Sequence, residues 1–364
     1  MKLTKDNLHD FIRGAAILGT GGGGDPYVGR LMLEQELRKG ADIEILDPDN
    51  ISDDVFAINV FSMGAPTVFV EKIPNGAATV ISVRKVEQVL GRKFNAIMPV
   101  EAGGVNATLP LIVGALTGLP VIDADGMGRA FPELQMVTYN VYGVDICPLV
   151  TTDDYGNSVT YETGTAQRAE WLARGVCVRM GGISQAAGYP MTGRQIKDTA
   201  VRHTLTLSVE IGQAVREARE QHRDPVDSLI DYFCTARHPR HAATLFDGKV
   251  VDVLRETKQG FTVGRVMLDG IEGSTGKHCE VIFRNEFLIA KTDGRVVATV
   301  PDLICCLDRE TAESITTESL KYGNRVKIIG IAAAPVMRTP EALAVFGPRA
   351  FMMEDDFTPL EELG

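Results

Sequence analysis

A run of five glycines in six positions, within "LGTGGGGDPYVGR" at residues 18–30, restricts this chain more than any other stretch. Glycine adopts left-handed backbone without a Cβ penalty and lets other groups approach the main chain closely. The preceding segment, "NLHDFIRGAAIL" at 7–18, carries Leu8, Phe11, Ile12, Ala15 and Ala16 at helical spacing. After the run, Asp25 fits an N-cap and Pro26 the first helical position, which predicts a helix to about Arg38 stopping at Gly40. Gly19-x-Gly21-x-x-Gly24 has the spacing of the dinucleotide fingerprint, but that fingerprint follows a strand, and here a helical pattern precedes it. No GxxxxGK[ST] phosphate loop occurs. The run therefore reads first as a ligand-facing loop whose N–H groups receive anionic atoms. A tight helix–helix corner is the second reading, and a nucleotide-cofactor loop the third.

Downstream, short apolar runs alternate with helical patterns. "ADIEILDP", "DVFAINVFSMG", "FNAIMPV" and "PVIDAD" read as strands, with helices expected at 78–91 and 107–117. "LQMVTYNVYGVDICPLVTTD" reads as extended. This alternation predicts an α/β domain with a mainly parallel sheet over residues 1–165. Beyond it, 165–174 looks helical and "GVCVRMGGIS" looks like a strand. "TGRQIKDTAVRHTLTLSVEIGQAVREARE" reads as one long amphipathic helix, followed by a helical piece near 225–236. From "GKVVDVLRETKQG" onward strands alternate, with "TDGR" a hairpin turn. Residues 166–364 are thus expected to form a strand-rich α+β domain with a helical insert at about 192–236.

The candidate chemistry lies at strand ends, where ligands bind in open α/β sheets. "MPVEAGGVN" places Glu101 past one strand, with Gly103, Gly104 and Asn106 following. "PVIDADGMGRAFPELQ" places Asp123 and Asp125 past the next, with Arg129 and Glu133 beyond. "FSMGAP" and "RMGGISQAAGYPM", the latter with Ser184 and Gln185, are further glycine-bearing loops. Acids at two successive strand ends suit a general base or a metal. Glu101 paired with Arg129, and Asp123 capping a turn, is the competing structural reading. The histidines, including His203, His238 and His241, show no HExxH or Cys/His zinc spacing, and no GxSxG elbow occurs.

Net charge of −11 argues against nonspecific nucleic-acid binding. The first residues are too polar for a secretory signal and no 18-residue apolar run occurs, so a cytoplasmic protein without a membrane span is expected. The six cysteines lack a CxxC and read as reduced thiols, with Cys305 and Cys306 pointing to opposite faces of one strand. Size and class suggest a homo-oligomer.

As a set, "GTGGGGDP", "MPVEAGGVNA", "DADGMGRAFPELQM" and "RMGGISQAAGYPM" resemble the S-methyl thiohydantoin desulfurase family, often labelled hydantoinase-like and formerly a domain of unknown function. "LFDGKVVDVLRETKQGFTVGRVMLDG", "PDLICCLD" and "YGNRVKIIGIAAAP" extend the resemblance over nearly the whole chain. It implies an N-terminal α/β domain, a strand-built C-terminal domain, and action on cyclic ureides or thiohydantoins, with water attacking the C2 carbon and a thiol leaving. For such a reaction Glu101, Asp123 and Asp125 are the expected catalytic groups. They are also the candidate ligands of a divalent metal such as zinc. Gly21, Gly22, Gly23, Gly24, Asp25, Asn106, Arg129, Ser184 and Gln185 are the expected substrate contacts, with Arg129 holding a substrate carboxylate. The alternative is a non-catalytic partner subunit of a hydantoinase or oxoprolinase-type complex.

Overall fold

The structure is a computed structural model that describes residues 1–24, 26–64, 68, 72, 76–236, 239–258 and 261–363. Its first sheet is built from β1 (Ile45–Leu46), β2 (Phe56–Gly64), β3 (Ala96–Pro99), β4 (Val121–Ile122), β6 (Leu149–Thr152), β7 (Ser158–Tyr161) and β8 (Ile183–Thr192). The order is β1-β4-β3-β2-β8-β6-β7. The β1–β4, β4–β3 and β3–β2 pairs are parallel, whereas β2–β8, β8–β6 and β6–β7 are antiparallel. β2 and β8 are buried along nearly their whole length, as strands covered on both faces must be. One face packs Ile58 and Val60 against Val83, Val86, Leu111 and Ile112 of the helices Ala77–Leu90 and Gly104–Thr117. The other packs Phe61, Met98 and Tyr189 against Ala169, Ala173 and Cys177 of the helix Ala166–Arg179.

The second sheet contains β10 (Ala242–Lys258), β11 (Phe261–Gly270), β12 (His278–Arg284), β13 (Glu286–Thr292), β14 (Arg295–Thr299), β15 (Leu303–Asp308) and β16 (Arg325–Ile331). It runs β14-β13-β12-β11-β10-β16-β15 and is antiparallel throughout. Asp293 and Gly294, both at positive φ, make the expected hairpin turn between β13 and β14. Cys305 and Cys306 face opposite sides of β15: Cys305 lies in the core shared with the first sheet, and Cys306 in the core of the second. All six cysteines are free. The α/β fold with a strand-rich second half is therefore as expected. Among the described residues no helix is long and apolar enough to cross a membrane.

Several local expectations change. β8 lies beyond residue 165 yet joins the middle of the first sheet, so the chain division near 165 does not separate the two sheets. Residues 175–179 continue a helix instead of forming a strand, and Thr138–Val141 is a short helix within a segment read as extended. The long helix expected after Thr192 breaks into Gly193–Thr199 and Thr204–Glu220. Between them β9 (Val201–Arg202) pairs with β5 (Ala124–Asp125). The break has a cause in distant residues. The Asp123 carboxylate accepts hydrogen bonds from Leu205 N (2.7 Å), Thr206 N (3.1 Å) and the Thr206 hydroxyl, restarting the helix there.

Candidate active site

A cleft opens where the carboxyl ends of β2 and β3 meet the second sheet. Gly23, Gly24, Ser62, Glu101, Asn106, Met127, Phe131, Glu133, Arg174, Asn285 and Glu286 are among the residues that line it. Its cavity of about 80 Å³ has room for several waters or one small ring.

Glu101 follows β3 and is buried to 4% exposure. Its Oε1 accepts from Asn106 Nδ2, one turn into the next helix, and its Oε2 accepts from Phe131 N at 3.3 Å. Asn106 in turn clamps the Ser62 backbone, accepting from Ser62 N (2.7 Å) and donating to Ser62 O (3.1 Å). Burial pushes the Glu101 carboxyl up to about 8, against the pull of these donors. The cleft thus holds a carboxyl group that is mostly protonated at pH 7.

A second buried carboxyl comes from the other sheet. Glu286 begins β13, is 3% exposed, and its Oε2 meets no hydrogen-bond partner. Burial, reinforced by Glu101, holds it protonated well above the usual carboxylate range. Its room comes from the glycine run, since a methyl group on Gly22 would lie 2.1 Å from Glu286 Oε1. Gly23, at φ +74°, packs backbone to backbone with Gly103 and Gly104, and its carbonyl accepts from Val105 N at 2.8 Å. A Cβ on Gly23 would fall 2.7 Å from Gly103 O. Two glycine stretches interlock here, which no side-chain-bearing residue would allow. Gly21 packs on the Phe287 ring and its carbonyl accepts from Thr317 N. Gly23 and Gly24 therefore face the cleft, whereas Gly21 and Gly22 do their work behind it. The run follows the helix Lys5–Leu18, so the strand that a dinucleotide fingerprint requires is absent.

Arg129 is fully buried, and it does not line the cleft. Its guanidinium donates to Asp302 O (2.8 Å), Phe287 O (2.9 Å), Thr20 Oγ1 (2.7 Å) and Ala130 O (3.1 Å). These bonds tie the glycine run to the second sheet and leave no face for a substrate carboxylate, correcting the role expected for it. It remains the cation behind the Glu101–Glu286 pair, and burial lowers its own value to about 10.

The other expected residues divide. Asp123 caps a helix as described, and burial raises its carboxyl. Asp125 is fully buried, with Oδ2 accepting from Met127 N and Gly128 N (2.8 Å each), and burial raises it to about 7. Neither lines the cleft. Gln185 stands behind the cleft wall and donates to Ser62 Oγ at 3.2 Å, while Ser184 is buried in β8. Asp25, most of the loop "FSMGAP" after Gly64, and His238 lie outside the described residues. Glu101, Asp123 and Asp125 do not converge on one metal position. Among the described residues, the three-ligand grouping of His, Cys, Asp or Glu is Asp47, Asp49 and His203, elsewhere on the surface. The reason is local: Asp123 is held by the Leu205 and Thr206 N–H groups and the Thr206 hydroxyl, and Asp125 Oδ2 by the Met127 and Gly128 N–H groups.

Sequence reasoning missed Glu286, Asn285, Ser62, Phe131 and Arg174. At the mouth, Arg174 and Arg284 lie 4.7 and 4.1 Å from the Phe261 ring, and Arg284 pairs with Glu133 at 2.6 Å. One signal for Glu286 was present: a carboxylate opening the apolar run "NEFLIA". An acid there is either exposed or paired with something deep in the fold.

The chain superposes along 99% of its length on the whole of a crystal structure of a protein from Chromobacterium violaceum, at a TM-score of 0.83 and 22% sequence identity, a likeness of fold. Comparison with curated protein sequences finds no match. The model of the S-Me-THD-like N-terminal domain matches residues 6–163 and that of the S-Me-THD-like C-terminal domain residues 164–360, and the chain belongs to this family.

Proposed function

We propose that the protein is a hydrolase of cyclic ureides and thiohydantoins, replacing the S-methyl sulfur at C2 of an S-methyl thiohydantoin with oxygen from water. The observation that carries this reading is the pair of buried carboxyls, Glu101 and Glu286, which come from opposite sheets and line one cleft. Two such groups supply the base and the acid that addition of water to a C=N bond requires.

In the addition step, the ionised Glu101 takes a proton from water as its oxygen bonds to C2. Glu286 gives its proton to the ring nitrogen as the C=N π bond breaks. In the collapse step, the C–S bond breaks and the thiolate takes the proton from Glu101. The hydroxyl proton on C2 returns to Glu286 as the C=O forms. Both carboxyls end as they began, and the products are a hydantoin and methanethiol. Ser62, fixed by Asn106 and Gln185, flanks the ring, and the first turn of the helix Gly104–Thr117 presents positive potential to its carbonyl oxygens. Arg129, behind the pair, favours the ionised state whichever carboxyl holds it.

The test is thiol release from S-methyl thiohydantoin by the purified protein, compared with hydantoin and thiohydantoin as alternative rings. Glu101→Gln and Glu286→Gln are each expected to lower turnover by roughly 10²–10⁴-fold. Full activity in both variants removes the cleft from the mechanism. Absence of turnover on all three rings favours the partner-subunit alternative.

A further inference from the structure

On the far side of β5 lies a second, larger cavity of about 520 Å³. It falls within the size range of small-molecule sites. Its apolar wall includes Val201, Leu207, Pro335 and Val336. Arg240 lines it.

The state of Arg240 is unusual. Its guanidinium makes no hydrogen bond and no salt bridge among the described residues, and its Nη1 is sealed from solvent without a partner. Arg240 is partly buried, and a cation drawn out of water without hydrogen bonds is normally paired. The other charged groups around the cavity are already engaged. Arg202 Nη1 pairs with Asp49 at 2.5 Å, His203 Nε2 lies 3.0 Å from Asp49 Oδ2, and Glu210 accepts from the Tyr232 hydroxyl at 2.6 Å. Arg338 repels Arg240, while Asp125 attracts it without forming a salt bridge. Arg240 is thus the cation of the cavity wall that has no ion-pair or hydrogen-bond partner among the described residues.

We propose that this cavity is a ligand site for a small monoanion with an apolar body, its carboxylate seated on the Arg240 guanidinium. A single unpartnered guanidinium matches one carboxylate, and the carboxylates of Asp49 and Glu210 in the cavity wall disfavour a dianion such as phosphate. The planar guanidinium fork fits a carboxylate in a bidentate pair. The site is independent of the hydrolytic reading above. It is nevertheless linked to the cleft: β9, which lines the cavity through Val201 and Arg202, pairs with β5, and β5 carries Asp125. Asp125 holds Met127 N, and Met127 lines the cleft.

The experiment uses isovalerate as probe, with isovaleramide as its neutral counterpart and inorganic phosphate as the dianion, in calorimetric titration of the full chain. Isovalerate is expected to bind with a dissociation constant on the order of 1 mM, and the amide and phosphate much more weakly. Arg240→Gln is expected to weaken isovalerate by about tenfold or more, while leaving the melting temperature of the free protein equal or higher, since it removes a partly buried cation without a partner. Val336→Trp, which narrows the cavity without altering Arg240, is expected to weaken binding as well. Equal binding of acid and amide, unchanged binding in both variants, or no heat from isovalerate well above millimolar concentration would each overturn the proposal.

Discussion

Replacing Glu101 by Gln is expected to stabilise the folded chain at alkaline pH while it slows turnover. Burial raises the Glu101 carboxyl from an ordinary 4.5 to about 8. The unfolded chain therefore releases this proton near pH 4.5, whereas the folded chain keeps it until about pH 8. The stability associated with the group is complete below its unfolded value and is lost as pH rises towards its folded value. At about 1.4 kcal/mol per pH unit, the loss between pH 5 and pH 8 is roughly 3 kcal/mol. Gln has no proton to release and escapes this loss. Its amide cannot accept from both Asn106 Nδ2 and Phe131 N, which costs about 1 kcal/mol, but this term does not change with pH. The variant should thus be near or slightly below wild type at pH 5 and more stable by about 2 kcal/mol at pH 8. Chemical denaturation of both proteins at pH 5, 6, 7 and 8 reads the difference. A difference that stays constant across pH would refute the claim that Glu101 is held neutral by burial.

Other outcomes follow from the same geometry. Turnover should rise with pH up to about 8, because the base form of Glu101 is the minor species below it; a pH–rate profile flat from 6 to 8 contradicts that role. Gly22→Ala places a methyl 2.1 Å from Glu286 Oε1 and should displace that carboxyl, lowering activity more than stability, with a folding cost of about 1–3 kcal/mol. Asp123→Ala removes a helix cap and should cost about 1–2 kcal/mol in denaturant titration while leaving kcat intact, since Asp123 lies off the cleft. Arg129→Met leaves the Asp302 and Phe287 carbonyls without their donor, and should destabilise by about 2–5 kcal/mol, visible as a large drop in melting temperature.

The elements most legible in the sequence are those set by local pattern. The helix Ala77–Leu90, the strand Phe56–Gly64 and the Asp293–Gly294 turn follow from apolar spacing and turn chemistry. Glu101 and Asn106 were also legible, because a strand end, two glycines and a helix start lie within a few residues of one another. What was hidden depends on partners far along the chain. The helix break at Val201–His203 is imposed by Asp123, some eighty residues earlier, so helical periodicity ran straight through it. β8 reads as a loop from its glycines, yet it is buried between β2 and β6. Glu286 looks like an ordinary strand acid until Gly22 is seen to make room for it. Arg129, which lies among the glycine motifs in sequence, was given to the substrate. Its guanidinium is instead consumed by carbonyls of the second sheet, which no reading of its neighbours would reveal.

The central claim is that Glu101 and Glu286 direct water onto C2 of the ring. It is tested most directly by a single turnover of S-methyl thiohydantoin in ¹⁸O-labelled water, followed by mass spectrometry of the hydantoin. The account predicts one labelled oxygen at C2 and an equal amount of methanethiol with the wild-type protein, and both products formed roughly 10²–10⁴-fold more slowly with Glu101→Gln. Unlabelled hydantoin, or labelled product formed at the wild-type rate by Glu101→Gln, would contradict it.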